Sequence, residues 1–100
     1  MGYKFHQIQT NREMNITPEI IEFAQLMEKE LMANSHKGYW KNLSLIYLHQ
    51  ELYYHSYKLR DAIKSKDKEL ILEYAADCGN LAMMIVDNIK SELTETEKGE

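Results

Sequence analysis

The chain has 100 residues, with 12 basic and 16 acidic side chains giving a formal charge of −4. That length makes one small domain or one subunit of an assembly, and the charge argues against a non-specific grip on a nucleic-acid backbone. A single cysteine excludes a disulfide framework and a Cys-based zinc site. No apolar run approaches the ~20 residues of a membrane span, and the start carries no signal-peptide core. A soluble protein in a reducing, cytoplasmic setting is expected. One proline and four glycines point to long helices with few tight turns.

Residues 1–15 are polar, with Tyr3, Phe5 and Ile8 as the sizeable apolar groups, and read as a flexible arm. Thr17-Pro18-Glu19 is a helix start: a hydroxyl N-cap, proline at the first helical position and an acid in the first turn. The helix should run to about Ala33, with Ile20, Ala24, Met27 and Leu31 as its stripe and Phe23 and Leu26 widening it. The stretch NSHKG, from Asn34 to Gly38, breaks the pattern. A second helix is predicted from Lys41–Ser44 to about Lys64. Its stripe of Leu45, Leu48, Leu52, His55, Leu59 and Ala62 steps by three and four like a bundle seam. His55 therefore points inward between leucines, with Glu51 one turn before it and Lys58 just under a turn after.

Ser65–Asp67 is too short to be anything but a tight connection, and Asp67 is a plausible N-cap for a third helix. The third helix has two adjacent stripes. One is Leu70, Tyr74, Asp77, Leu81, Met84 and Asn88; the other is Ile71, Ala75, Cys78, Ala82, Ile85 and Ile89. It should fray past Leu93, because residues 94–100, TETEKGE, are polar and charged and read as a disordered tail. The fold expected is all-α: a helical domain over 16–93 whose three-helix subunit contains an antiparallel helical hairpin. Apolar faces this wide exceed what three helices can bury, so dimerisation completing a four-helix core is expected.

Chemistry concentrates around Asp77, a carboxylate among apolar neighbours, which is costly unless paired, hydrogen-bonded or metal-bound. Glu73 and Asn80 lie one turn to either side. Antiparallel pairing sets His55 and Lys58 at the height of Tyr74 and Asp77. Glu51, His55, Glu73 and Asp77 form a possible magnesium site of three carboxylates and an imidazole. Read as structure alone, the same residues make a salt-bridged patch with Lys58. His36-Lys37-Gly38-Tyr39-Trp40 suits a nucleotide, with Lys37 for phosphate and Trp40 or Tyr39 for stacking; alternatively it is a helix end with Gly38 as cap and Trp40 packed down. Tyr47, Tyr53, Tyr54 and Tyr57 spread around the second helix and cannot all be core, so some should line a pocket or an interface.

At these residues the chain resembles the MazG-like all-α nucleotide pyrophosphohydrolases, in particular short phage-type members. Those carry a loop like HKGxW, a helix with EExxE, a short S/G-D connection and a helix reading roughly EEAADVANFAMMIADN. The matching pieces are HKGYW at His36–Trp40, SKDKE at Ser65–Glu69 and EYAADCGNLAMMIVDN at Glu73–Asn88, within a similarity covering about Ile20–Ile89. The resemblance implies a helical dimer, or a dimer of dimers, that binds nucleotide phosphates through magnesium. Active members then hydrolyse between the α- and β-phosphates with metal-activated water. The family's metal carboxylates come from an ExxE pair and an ExxD pair. Aligned without gaps, His55 and Lys58 stand at the first pair, and Tyr74 and Asp77 at the second. Three of the four ligands are replaced, one of them by a cation.

The expected function is therefore a non-catalytic nucleotide-binding protein, a homo-oligomer needing no cofactor. His55, Lys58, Tyr74, Asp77 and Asn80 would form its pocket and His36, Lys37 and Trp40 its lid. By analogy it would be a phage protein in the host cytoplasm, sequestering a signalling nucleotide of host defence. Two alternatives stand beside it. One is a magnesium-dependent nucleoside triphosphate pyrophosphohydrolase with a metal site rearranged onto Glu51, His55, Glu73 and Asp77. The other is a helical inhibitor that meets a protein partner through Tyr53, Tyr54 and Tyr57.

Overall fold

The structure, a computed structural model, describes residues 15–35 and 38–99, with side chains as far as 93. Among them are three helices and no strand: α1 (Pro18–Ala33), α2 (Leu45–Ser65) and α3 (Lys68–Gly99). None is long and apolar enough to cross a membrane. His36, Lys37 and the arm up to residue 14 lie outside the described residues.

Local chemistry sets each boundary. Pro18 opens α1, but the Thr17 hydroxyl makes no capping bond. The Thr17 carbonyl instead accepts from the Ile20 and Ile21 amides at 2.9 and 3.1 Å, and Pro18 has no N–H to satisfy. Asn34, not Gly38, closes α1: its amide donates to Glu30 and Leu31 carbonyls, and its Nδ2 donates to Glu30 at 2.9 Å. Gly38 sits in the following loop at φ 98°, a conformation that favours glycine. Ser44 caps α2, its Oγ accepting from the Tyr47 amide at 3.1 Å. Lys66 ends α2 in the left-handed region at φ 61°, and the Asp67 carboxylate then accepts from the Leu70 amide at 3.2 Å. The α3 helix continues to Gly99, beyond the end expected near Leu93. Its last turns are rich in Glu and Lys, good helix formers, and contain no breaker before that glycine.

Both α1 and α2 pack on α3, and among the described residues they do not pack on each other. Asn80, 6% exposed, fastens α1 by donating Nδ2 to the Met27 carbonyl at 2.8 Å. Gly79 lets α1 approach: a Cβ there would stand 2.8 Å from the Phe23 ring and 3.1 Å from Met27 Sδ. Among the described residues the buried apolar core is small, consisting of Leu48, Ala62 and Ala76. Helical phase gives α2 two sides. Tyr47, Glu51, His55 and Lys58 face the cleft toward α1, whereas Leu45, Leu52, Leu59 and Ile63 lie on the other side. The second stripe of α3 falls on that other side too.

Candidate functional site

The cleft between α1 and α2, floored by α3, is a cavity of about 770 Å³. Trp40, His55, Lys58, Tyr74, Asp77 and Asn80 all line it, so six of the eight residues expected to meet a nucleotide share one space. The other two, His36 and Lys37, fall outside the described residues. Tyr39, Tyr47, Leu81 and Met84 add aromatic and apolar wall.

Helix geometry explains the convergence. Glu51, His55 and Lys58 step by four and three along α2, and Glu73, Tyr74, Asp77 and Asn80 span two turns of α3. The half-buried Lys58 ammonium lies 4.7 Å from the centroid of the Tyr74 ring and 5.2 Å from that of Tyr54. It is thus steadied by two aromatic faces, that of Tyr54 on its own helix and that of Tyr74 across the α2–α3 seam. His55 donates Nδ1–H to the Glu51 carbonyl at 2.8 Å, and its ring meets Tyr54 edge-on. That bond assigns the tautomer and leaves Nε2 as the ring's available nitrogen.

Carboxylates supply the rest of the polar wall: Glu28, Glu30, Glu51, Glu73 and Asp77. The Glu30 carboxyl is pushed above its usual range by burial, then by the negative charges of Glu73 and Asp77. Burial and then Asp77 likewise raise the Cys78 thiol, which fits a packed thiol rather than a nucleophile. Glu51, His55, Glu73 and Asp77 share the cavity, yet among the described residues no three His, Cys, Asp or Glu side chains converge closely enough to hold a metal ion.

One wall is the loop from Gly38 to Ser44, and it is pinned rather than free. Asn88, 5% exposed, donates Nδ2 to the Trp40 carbonyl at 3.0 Å and to the Leu43 carbonyl at 3.1 Å. The Trp40 indole donates to Asp87 at 2.9 Å. Lys41 pairs with the same carboxylate at 2.6 Å and donates to Ser91 at 3.0 Å. Bonding to Lys41, joined by that from Trp40, holds the Asp87 carboxyl below the usual range against an opposing effect of burial. Trp40 is thus an anchor. Tyr39, 67% exposed and stacked on Trp40 with ring centroids 4.3 Å apart, is the ring available to a ligand.

Sequence reasoning missed Glu30, Asp87 and the role of Asn88. Glu30 follows Met27 by three and shares its face, a signal that could have placed it beside α3. Asp87 and Asn88 form a polar pair ending an apolar stripe, which is where a loop needs donors and acceptors. No family model, curated protein or solved structure matches the chain.

Proposed function

We propose that this chain is a non-catalytic nucleotide-binding protein built on a MazG-like helical scaffold. One observation supports the reading above others: a single cavity gathers a cation, an imidazole, tyrosines and the stacked Tyr39–Trp40 pair. Phosphate oxygens would meet the Lys58 ammonium, whereas His55 Nε2, an acceptor once Nδ1–H is bonded to Glu51, would take a hydrogen bond from a hydroxyl or amino group of the ligand. The base would lie against Tyr39, which has an exposed face. Asn80 has committed its amide N–H to Met27, so its oxygen is left as an acceptor for base or sugar. Lysine in place of a carboxylate opposes magnesium there and can stand in for the metal's charge beside phosphate. Holding a nucleotide without cleaving it follows from that exchange. Sequestering a signalling nucleotide of host defence in a phage-infected cell is the role proposed, and it rests on the resemblance alone.

The scaffold proposed is a homo-oligomer in which α2 and α3 run antiparallel as a hairpin and two hairpins complete a four-helix core. The small buried core among the described residues of one chain supports it.

Titration calorimetry and thermal melts with nucleoside mono-, di- and triphosphates and cyclic dinucleotides test the function. At least one should bind, and Lys58→Ala should weaken it by roughly tenfold or more, as for a lost charged hydrogen bond. If no nucleotide binds or shifts the melt, the reading fails. Magnesium-dependent release of pyrophosphate that is lost in Asp77→Ala would establish the hydrolase instead.

A further inference from the structure

Five side chains on the described cavity wall carry N–H groups: Asn34, Trp40, His55, Lys58 and Asn80. All but Lys58 turn that nitrogen to the protein. Asn34 Nδ2 donates to the Glu30 carbonyl at 2.9 Å, and the Trp40 indole donates to Asp87 at 2.9 Å. His55 Nδ1 donates to the Glu51 carbonyl at 2.8 Å, and Asn80 Nδ2 to the Met27 carbonyl at 2.8 Å. An amide whose nitrogen is engaged presents its oxygen on the other side, and an imidazole bonded through Nδ1–H presents the Nε2 lone pair. Asn80 lines the cavity with a side chain only 6% exposed, and a buried amide oxygen calls for a donor.

The rest of the wall points the same way. Its five carboxylates accept only, when ionised, and its serine and tyrosine hydroxyls can turn to accept or to donate. Burial, and then the charges of Glu73 and Asp77, hold the Glu30 carboxyl above its usual range, so the field is felt within the wall itself. The described wall therefore offers acceptors nearly throughout, with Lys58 as its one lysine or arginine.

Such a wall reads a ligand by its donors. An exocyclic amino group on a base brings N–H donors to it, whereas a carbonyl at the same ring position sets oxygen against oxygen. Adenine and cytosine carry an amino group where hypoxanthine and uracil carry a carbonyl, and guanine carries one that hypoxanthine lacks. The same inventory limits the phosphates. A terminal phosphate brings about 1.5–2 negative charges at pH 7, every further phosphate adds to them, and Lys58 is a single positive charge. The volume, about 770 Å³, lies within the range of small-molecule sites.

We infer that the ligand of this cavity is a nucleotide with an amino-bearing base and a single phosphate group. The amino group meets the acceptor wall, the phosphate meets Lys58, and the ring lies on Tyr39. The inference rests on the nucleotide reading above and narrows it to one ligand class.

Calorimetric titration of the full chain with matched monophosphates, in the presence of a chelator of divalent cations, tests it. The pairs are adenosine against inosine, cytidine against uridine, and guanosine against inosine monophosphate. The tightest amino-bearing monophosphate should bind roughly tenfold or more tighter than its partner, and its own triphosphate should bind no tighter than it does. His55→Phe, Glu51→Gln and Glu73→Gln each alter one acceptor and spare Lys58. At least one of them should narrow the amino preference by roughly threefold or more. Inosine or uridine monophosphate binding as tightly as its partner overturns the inference and leaves nucleotide binding in place. So does a triphosphate that binds more tightly than its monophosphate, or a preference unchanged in all three variants. Spermidine supplies amine donors without a phosphate. If no nucleotide binds, whether or not spermidine does, the nucleotide reading falls and the inference with it.

Discussion

Asn88→Ala should detach one wall of the cavity from α3. The side chain is 5% exposed and its Nδ2 is the donor to both the Trp40 and Leu43 carbonyls, so truncation removes two hydrogen bonds at once. Each is worth about 0.5–1.5 kcal/mol, and the two carbonyls left behind add a desolvation cost if they stay buried. One term opposes this. Asn88 Oδ1 is buried with no hydrogen-bond partner among the described residues, and alanine removes that penalty. The net expectation is a loss of about 2 kcal/mol, or about 8–16 °C in Tm for a domain of this size. Asn88→Asp should cost more, because it places two acceptors against two carbonyl oxygens and supplies no donor. Trp40 is the only tryptophan, so its emission reports the loop directly. Urea and thermal melts followed by circular dichroism give the stability, and a red-shifted Trp40 emission before the main transition gives the detachment. Loss below about 0.5 kcal/mol with unchanged emission would refute the account of how this loop is held.

Acid should loosen the same loop. Asp87 has a lowered folded-state pKa, so its stabilisation is present above the ordinary carboxylate value and is lost as pH falls through the lower folded one. The pair is partly exposed, so the effect stays within about 1 kcal/mol, read as a Trp40 emission change that Asp87→Asn abolishes. Glu30 runs the other way. Its pKa is raised by burial and by Glu73 and Asp77, so ionising it costs the fold as pH rises past the ordinary carboxylate value. Glu30→Gln should therefore raise Tm at neutral pH and leave it unchanged well below pH 4. Gly79→Ala should gain about 1 kcal/mol of helix propensity yet press on the Phe23 ring. In a double-mutant cycle it should be less favourable by about 1 kcal/mol or more with Phe23 present than with Phe23→Ala, and additive melts would refute the contact.

Periodicity and caps made most of the fold legible. Pro18, Ser44 and Asp67 mark helix starts chemically, and α1 ends at Ala33 as its stripe does. The extension of α3 to Gly99 was not legible, because a polar, charged run reads as tail whenever no apolar stripe accompanies it, even where its residues favour helix. Cavity residues on α2 and α3 were legible because a short connection fixes their relative heights. Glu30 was not, since nothing local sets the height at which α1 crosses α3; Asn80 sets it through a hydrogen bond to a residue 53 positions away and Gly79 through a missing Cβ. Trp40 illustrates a second limit. Its spacing fitted both a stacking ring and a packed anchor, and only Asp87, 47 residues away, separates them.

Charge constrains any phosphate that enters this cavity. Five carboxylates line it, and Lys58 is the one lysine or arginine on the described wall. A phosphate thus approaches against a net negative field and is rewarded only in the contact it makes with Lys58. These two effects respond differently to salt. Repulsion from carboxylates around the remaining wall acts over distances comparable to the screening length, about 10 Å at 0.1 M ionic strength, and is damped. A direct ammonium–phosphate contact in a half-buried site is damped far less. Affinity for a nucleotide should therefore hold or rise as potassium chloride is raised from low ionic strength to about 0.1 M, the reverse of the usual behaviour of an anion on a basic surface. Glu73→Gln should flatten the rise by removing one repelling charge without touching Lys58. Calorimetric titrations at several salt concentrations decide the matter. A steep fall in affinity with salt, unchanged by Glu73→Gln, would mean that the phosphate is held by an exposed basic segment and not between α1 and α2.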